Sequence, residues 1–159
     1  DDFDHEKIGI LGNSYGGMLS IQYAALNEKI KAVVANCAFS SMTDTVSTSV
    51  THFTGLPEFP FVPLIVFWAE TDTGVKMEEI DATKWIPQIS PRPVFLMQGG
   101  KDTVISPKSG QRLYDAAGEP KELWYDPELG HVDFDKERAE EYEARVAAFF
   151  DQYLLQTTP

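Results

Sequence analysis

Residues 8–17 read IGILGNSYGG, and this stretch decides the fold. Within it, Gly12 lies two residues before Ser14 and Gly16 lies two residues after it. This is the G-x-S-x-G spacing of a nucleophile elbow, in which small residues let a strand and the following helix approach closely. Taken alone, the motif also fits a glycine-rich turn that binds a phosphate or only packs tightly.

The segments on either side supply the context that the motif needs. Residues 6–11 end in an apolar run that predicts a short buried strand. Residues 18–27 are mostly apolar and contain neither glycine nor proline, which predicts a helix. The strand–turn–helix order favours an elbow that projects the Oγ atom of Ser14 from the carboxyl end of a strand, where ligands bind in open α/β sheets.

A serine hydroxyl needs a general base, and the chain has three histidines from which to choose it. His131 follows the strand-like residues 122–125, so we expect it in a loop at the carboxyl end of a strand, on the same side as Ser14. His5 precedes the elbow strand at the opposite end, and His52 lies in a stretch that we predict to be irregular. We therefore predict His131 as the base, against the alternative of an ordinary surface histidine.

Asp102 is the predicted acid that orients this base. It follows a turn after the apolar strand at residues 93–98, which also places it at a carboxyl end. Serine, aspartate and histidine then follow each other in an order known from one class of serine hydrolases. An ordinary turn aspartate is the alternative. Three rivals close to the histidine in sequence are less suitable, because such neighbours seldom reach its far ring nitrogen: Asp126, Asp133 and Asp135.

Four segments carry a resemblance to a known family, and they cover most of residues 6–135: KIGILGNSYGGML, KAVVANCAFSS, PRPVFLMQGGKDTVISPKSGQRLYDAAG and KELWYDPELGHVDF. They resemble the carboxyl-terminal half of an α/β-hydrolase, of the esterase, dienelactone-hydrolase-like and prolyl-oligopeptidase-like branch. The resemblance implies that Ser14 is the nucleophile, Asp102 the acid and His131 the base. It also implies that the backbone N–H of Tyr15 is one donor of the oxyanion hole and that no cofactor is needed.

The sequence departs from the family in what precedes the elbow strand. Family members have four or more strands there, and a loop among them gives the second oxyanion donor. Losing one such donor typically costs about 10²–10³ in rate. Without those strands, the strand at residues 7–12 lies at the edge of the sheet, and exposed apolar edges invite pairing. We therefore predict a homodimer or higher oligomer that covers this edge, while a longer parent protein is the alternative.

The order of predicted elements indicates one α/β domain over residues 1–159, with about four parallel strands flanked by helices. The predicted strands are 7–12, 31–37, 93–98 and 121–126. The predicted helices are 15–27, 107–117 and 135–154. Between them lies a partly helical, lid-like insert at about residues 40–90.

The insert is rich in large apolar side chains and prolines. Three roles stay open for these side chains: an acyl or aromatic pocket, ordinary packing over the sheet, or a dimer interface. The residues concerned are Phe53, Leu56, Phe59, Phe61, Leu64, Ile65, Phe67 and Trp68.

Composition excludes several classes of function. The net charge of −12 argues against nucleic acid and disfavours anionic membranes. The longest apolar run, residues 61–69, is too short to span a bilayer. We find no metal-binding spacing and no dinucleotide fingerprint. The single cysteine, Cys37, is predicted to be a buried core thiol, and we expect a cytoplasmic protein.

Together these features predict a serine esterase that acts on a small-molecule ester through an acyl-enzyme on Ser14, without cofactor or metal. Two other interpretations remain. One is a non-catalytic remnant of a hydrolase that serves as a binding or assembly module. The other is a small peptidase or an acyltransferase that uses the same three side chains.

Overall fold

The computed structural model describes residue 4 and residues 7–155. Four strands form one parallel sheet in the order β1-β2-β3-β4. Their bounds are Ile8–Asn13 (β1), Ile30–Asn36 (β2), Val94–Gly99 (β3) and Lys121–Asp126 (β4). The predicted α/β class with four parallel strands is confirmed. Strand β2 ends at residue 36 rather than 37, because Cys37 turns to a φ of 49°.

Seven α-helices connect and flank the strands within this described part of the chain. They are α1 (Tyr15–Leu26), α2 (Met42–Thr54), α3 (Glu58–Thr73), α4 (Ala82–Trp85), α5 (Ser109–Ala116), α6 (Phe134–Glu137) and α7 (Ala139–Phe150). Short 3₁₀ turns lie at Met77–Glu79 and Ile86–Ile89, and α7 continues as a π-helical turn at Asp151–Leu155.

The prediction of one continuous carboxyl-terminal helix is wrong. Arg138 leaves the helical region with φ −135° and ψ 35°, which separates α6 from α7. The Nε atom of Arg138 lies 3.2 Å from Oδ2 of Asp126, at the end of β4. The break therefore occurs where this ion pair ties the chain back to the sheet.

The core lies on both faces of the sheet. Val33 and Ala35 of β2 pack on the face covered by α1, α4 and α5, whereas Ala32 and Val34 pack on the face covered by α6 and α7. A strand that is buried on both faces is typical of parallel sheets. Strands β2 and β3 are therefore the rigid centre from which the loops at the carboxyl edge project.

Strand β1 lies at one edge of the sheet, as predicted. It pairs with β2 alone among the described strands. Leu11 on β1 is 39% exposed, and three apolar side chains of α1 are exposed as well: Leu19, Tyr23 and Leu26. The predicted self-association would cover this surface, and it stays a prediction.

The insert is more helical than the sequence predicts. Its Ser/Thr-rich start, which includes His52, forms helix α2 instead of an irregular stretch. Three threonines donate their hydroxyl hydrogens to the carbonyl four residues earlier, at 2.6–3.0 Å: Thr45, Thr48 and Thr54. These bonds give each hydroxyl an acceptor within its own helix. Gly55 then ends α2 in the left-handed conformation, with φ 68°.

The insert is attached beside the loop that carries Asp102. Ser49 of α2 donates to the carbonyl of Val104 at 3.4 Å, and Asp44 of α2 pairs with Arg112 of α5. An antiparallel bridge between Ser41 and Asp81 closes the base of the insert. This places the base of the insert at the carboxyl edge of the sheet.

Most of the aromatic side chains of the insert do not pack in a core. Phe59 is 79% exposed, Trp68 is 66% exposed and Phe67 is 60% exposed, whereas Val62 is the buried side chain of α3. Ordinary packing over the sheet is therefore the wrong role for these aromatics. A pocket lining and an interface stay open.

None of the helices in the part of the chain that the structure describes has the length and apolarity needed to cross a bilayer.

Candidate active site

Ser14 stands at the turn between β1 and α1, with φ 54° and ψ −120°. Its carbonyl accepts the N–H groups of Gly17 and Met18 at 3.0 and 3.2 Å, and its own N–H donates to the carbonyl of Asn36 at 2.8 Å. A positive φ is uncommon for a residue other than glycine. These contacts hold the strained turn that a nucleophile elbow requires.

The two glycines of the motif differ in what the structure demands of them. A Cβ atom on Gly12 would overlap the carbonyl of Gly16 and the Oγ atom of Ser20, so only glycine fits there. A Cβ on Gly16 would meet no described atom within 4 Å apart from its chain neighbours and the backbone of its own helix. The prediction that Gly16 must be small for packing is therefore wrong here. The second tight position is Gly17, whose added Cβ would lie 3.0 Å from that of Ala38.

Three predicted side chains meet at the carboxyl edge of the sheet, although 117 residues of chain separate Ser14 from His131. The Nε2 atom of His131 lies 2.9 Å from Oγ of Ser14, and Nδ1 lies 2.8 Å from Oδ2 of Asp102. An ionised carboxylate only accepts, so Nδ1–H donates to Asp102, and Nε2 accepts from the hydroxyl of Ser14. The three side chains thus have the geometry of a nucleophile, a base and an orienting acid.

Asp102 is buried and its oxygens are well supplied with donors. Oδ1 accepts the N–H groups of Val104 and Ile105 at 2.9 and 2.8 Å. Oδ2 accepts from His131 and also from Nε2 of Gln98 at 3.3 Å. These bonds fix the carboxylate in one orientation. Gln98 was not among the predicted site residues. Its position as the one polar side chain at the end of an otherwise apolar strand marks it as unusual in the sequence, but its partner is visible only in the structure.

The other candidates lie elsewhere or have other partners. Asp133 accepts the N–H of Gly130 at 3.1 Å within the histidine loop, Asp126 pairs with Arg138, and Asp135 is exposed. His52 lies on α2 with its ring against Phe53 at a centroid distance of 4.8 Å. His5 lies outside the described residues.

Cys37 is a fully buried thiol directly after β2, as predicted. Burial raises the pKa of this thiol from its ordinary value of 9.0 to about 11, and the negative charge of Asp102 adds to the effect. Its Sγ atom accepts the N–H of Val132 at 3.4 Å. The thiol is therefore neutral at physiological pH.

Cys37, Asp102 and His131 offer ligand atoms within 4.8 Å of one another, which makes them the group that could hold a metal ion among the described residues. Two of the three are already joined by the bond between Nδ1 and Oδ2. A metal ion bound through these two atoms would replace that bond. We therefore interpret the cluster as a hydrogen-bonded acid and base beside a neutral thiol.

Tyr15 is the first residue of α1, and the N–H groups in the first turn of a helix have no acceptor within the helix. Its N–H stays the predicted oxyanion donor. The tyrosine ring is exposed and packs against Phe39 at a centroid distance of 5.8 Å. No strand precedes β1 in the described residues, so the loop that gives a second donor in the family has no counterpart among them.

Comparison with known families identifies the chain. The model of the prolyl oligopeptidase family (Peptidase_S9) matches residues 2–157. The chain belongs to the prolyl oligopeptidase family. The resemblance inferred from the four segments is thereby confirmed.

Among curated proteins, this family member is similar to the uncharacterized protein YqkD of Bacillus subtilis, with 25% identity over 146 residues. The match covers 91% of this chain and 48% of YqkD. The chain thus spans about half the length of this relative.

Two examples illustrate the solved structures that share its fold. The esterase Pf2001 of Pyrococcus furiosus superposes with a TM-score of 0.70 at 24% identity, over 94% of this chain and 54% of the esterase. The acylaminoacyl peptidase of Pyrococcus horikoshii gives a TM-score of 0.75 at 16% identity, over 98% of this chain and 25% of the peptidase. At this level of identity, the likeness shows the α/β-hydrolase fold.

Proposed function

We propose that this member of the prolyl oligopeptidase family is a serine hydrolase that cleaves carboxylic esters through an acyl-enzyme on Ser14. The observation that carries the proposal is the unbroken chain of hydrogen bonds from Oγ of Ser14 through His131 to Asp102, at 2.9 and 2.8 Å. These distances are within the range required of a nucleophile and its base.

In acylation, Oγ of Ser14 attacks the acyl carbonyl while Nε2 of His131 takes the hydroxyl proton. The buried carboxylate of Asp102 stabilises the imidazolium and keeps Nδ1 protonated. The N–H of Tyr15 donates to the oxyanion of the tetrahedral intermediate. When the intermediate collapses, the C–O bond to the alcohol breaks, and Nε2 returns the proton to the leaving alkoxide.

In deacylation, His131 takes a proton from water, and the resulting hydroxide attacks the acyl carbon on Ser14. The bond between this carbon and Oγ breaks, and Nε2 protonates the serine. The products are a carboxylic acid and an alcohol, and one water is consumed. An alcohol in place of water would give acyl transfer with the same residues.

An ester makes a smaller demand on the oxyanion site than a peptide does. Amides resist nucleophilic attack more than esters do, because nitrogen donates more strongly to the carbonyl. One oxyanion donor, the N–H of Tyr15, belongs to the described elbow, and such a donor typically contributes about 10²–10³ in rate. We therefore expect esters to react first at this site.

Peptide hydrolysis is the second candidate, and the family match favours it. The same three side chains cleave amides in other serine hydrolases. Each oxyanion donor raises the rate on amides as well as on esters, so the relative rates on the two substrate classes decide between the candidates.

The test compares aryl esters of increasing acyl length with the corresponding anilides and with a short N-acylated peptide. We expect hydrolysis of the esters and loss of this activity in Ser14→Ala. Preferential cleavage of the anilides or the peptide would contradict the ester assignment and support the peptidase. A folded protein without activity on any of them would support the binding or assembly module.

A further inference from the structure

Cys37 and Val132 are joined by a hydrogen bond, and both have a backbone conformation that is unusual for their residue types. Their φ angles are 49° and 57°. With Ser14, they are the non-glycine residues at positive φ in the described chain. A β-branched residue such as valine is a genuine outlier there, and such conformations persist only where the surroundings hold them. The Sγ atom of Cys37 is one of the groups that hold Val132 in this conformation, since it accepts the N–H of Val132 at 3.4 Å.

The position of Val132 links this bond to the proposed base. Val132 directly follows His131, so its backbone sets the direction in which the loop leaves the histidine. On the other side, the carbonyl of Leu129 accepts the N–H of Lys101, at 2.8 Å, from the loop of the acid. Hydrogen bonds therefore hold the loop on both sides of His131. One joins it to the loop that carries Asp102, and the other joins it to Cys37 at the end of β2.

The chemical state of the thiol suits this role. Burial, with a smaller contribution from the charge of Asp102, raises the pKa of Cys37 to about 11. The sulfur is therefore an uncharged acceptor that adds no second negative charge beside the carboxylate. Its Sγ atom lies within 4.8 Å of a carboxylate oxygen of Asp102 and of a ring nitrogen of His131.

We propose that Cys37 is a positioning residue of this site: its thiol accepts the Val132 N–H and thereby keeps His131 within hydrogen-bond distance of both Ser14 and Asp102. This inference rests on the proposed function. Cys37 touches neither the substrate nor the reacting oxygen in this account, and it acts through the histidine loop.

The first test measures the bond itself and does not depend on activity. Amide hydrogen exchange of Val132, followed by NMR, is compared between the native protein and two variants. Cys37→Gly removes the sulfur at a φ that glycine adopts freely, and Cys37→Ser keeps an acceptor. We expect exchange at Val132 to be about tenfold faster in Cys37→Gly, as for the loss of one hydrogen bond, and nearly native in Cys37→Ser. Equal exchange in all three proteins would overturn the proposal.

The second test measures the consequence for Ser14. We expect Cys37→Gly to lower kcat on a short aryl ester about tenfold at unchanged KM, and Cys37→Ser to restore most of the loss. The control is Val34→Ala, which removes side-chain volume from the same core cluster. An equal loss of kcat in this control would overturn the proposal in favour of general packing. The protein could lack esterase activity and still show slow amide exchange at Val132 that depends on Cys37. That result would support the hydrogen bond between Val132 and Cys37 and contradict the proposed function.

Discussion

Asp102 shows at the scale of one residue how hydrogen bonds determine a protonation pattern. Its Oδ1 atom is occupied by the two N–H donors of Val104 and Ile105, so Oδ2 is the oxygen that faces His131. With Oδ2 accepting, the proton of the neutral imidazole stays on Nδ1, and Nε2 is free to accept from Ser14.

Asp102→Asn should therefore lower kcat by about 10³–10⁴ while the protein stays folded. The amide oxygen would keep the Oδ1 position opposite the two N–H donors, which turns the NH₂ group toward His131. The ring would then carry its proton on Nε2, facing Ser14, and could not act as a base. Steady-state kinetics and circular dichroism of the variant test this.

Asp126→Asn is the matched control for this substitution, because Asp126 also lies at the carboxyl end of a strand and accepts a backbone N–H, that of Glu128 at 2.9 Å. We expect near-native kcat in the control. A near-native kcat in Asp102→Asn itself would contradict the assigned role of the acid.

Cys37 makes a separate prediction about alkaline stability. Its pKa is about 11 in the folded protein and near 9.0 when exposed, so the folded state holds the proton more tightly. The thiol's contribution to stability is thus full below pH 9 and is lost as the pH rises through the interval from 9 to 11. The loss amounts to about 3 kcal/mol at most.

Urea unfolding of the native protein and of Cys37→Ala at pH 8 to 11 measures this contribution. Other groups titrate in both proteins, so the difference between them isolates the thiol. We expect the stability advantage of the native protein over the variant to shrink above pH 9. A difference that is constant over the whole range would show that the thiol does not titrate as described.

At the scale of elements, Arg92 joins the end of α1 to the segment before β3. Its Nη1 atom donates to the carbonyls of Ala24, Asn27 and Ile30 at 2.8, 3.1 and 2.8 Å. The first of these carbonyls belongs to the last turn of α1, where a positive charge also interacts favourably with the helix dipole. Helix α1, which directly follows Ser14, is thereby fixed at its far end.

Arg92→Met should lower the free energy of unfolding by about 2–3 kcal/mol, because charge-assisted hydrogen bonds to several carbonyls are lost at once. The control is Arg112→Met, which removes an exposed ion pair with Asp44 and should cost about 1 kcal/mol or less. Denaturant unfolding measures both variants. Equal losses of unfolding free energy in the two variants would contradict the assigned role of Arg92 in joining α1 to the segment before β3.

The elements that sequence predicts well are those with local signals. Strands β1, β2 and β3 are mostly apolar runs bounded by turn residues, and the elbow motif fixes the start of α1. The sequence did not predict α2 as a helix, because threonines disfavour helices on average. In the structure, the threonine hydroxyls donate to carbonyls of the same helix. The break at Arg138 depends on Asp126, which lies in another element.

The site residues also divide into those with a local sequence signal and those that depend on contacts in the folded chain. Ser14, Asp102 and His131 could be found from motif, order and strand ends. The roles of Gln98, Gly17 and Val132 could not, because each depends on a contact that exists only in the folded chain. The bond from Val132 to Cys37, for example, joins residues 95 positions apart.

For the whole molecule, the exposed apolar face formed by β1 and α1 is the feature that bears on assembly. An apolar cavity of about 550 Å³ lies on it, lined by Ile10, Leu19, Ser20, Gln22, Tyr23 and Leu26. The strand beside it has one unpaired edge among the described strands. We propose that a second copy covers this face, since two β1 edges related by a two-fold axis can pair and bring both α1 surfaces together.

Sedimentation at micromolar concentration should therefore show a dimer. Leu26→Lys on α1 should dissociate it, because the substitution places a charge in the interface, whereas Phe67→Lys on α3 should not. The reverse pattern would assign the interface to the insert. A monomer at all concentrations would contradict self-association and leave the face to a preceding part of a longer chain.

Covalent labelling by a fluorophosphonate, with the modified residue located by mass spectrometry, tests whether Ser14 is an activated nucleophile. An assembled nucleophile and base predict rapid labelling at Ser14 that is lost in His131→Ala and retained in His52→Ala. Absence of labelling in the folded native protein, or equal labelling in His131→Ala, would contradict the account of Ser14 and His131 as a working nucleophile and base.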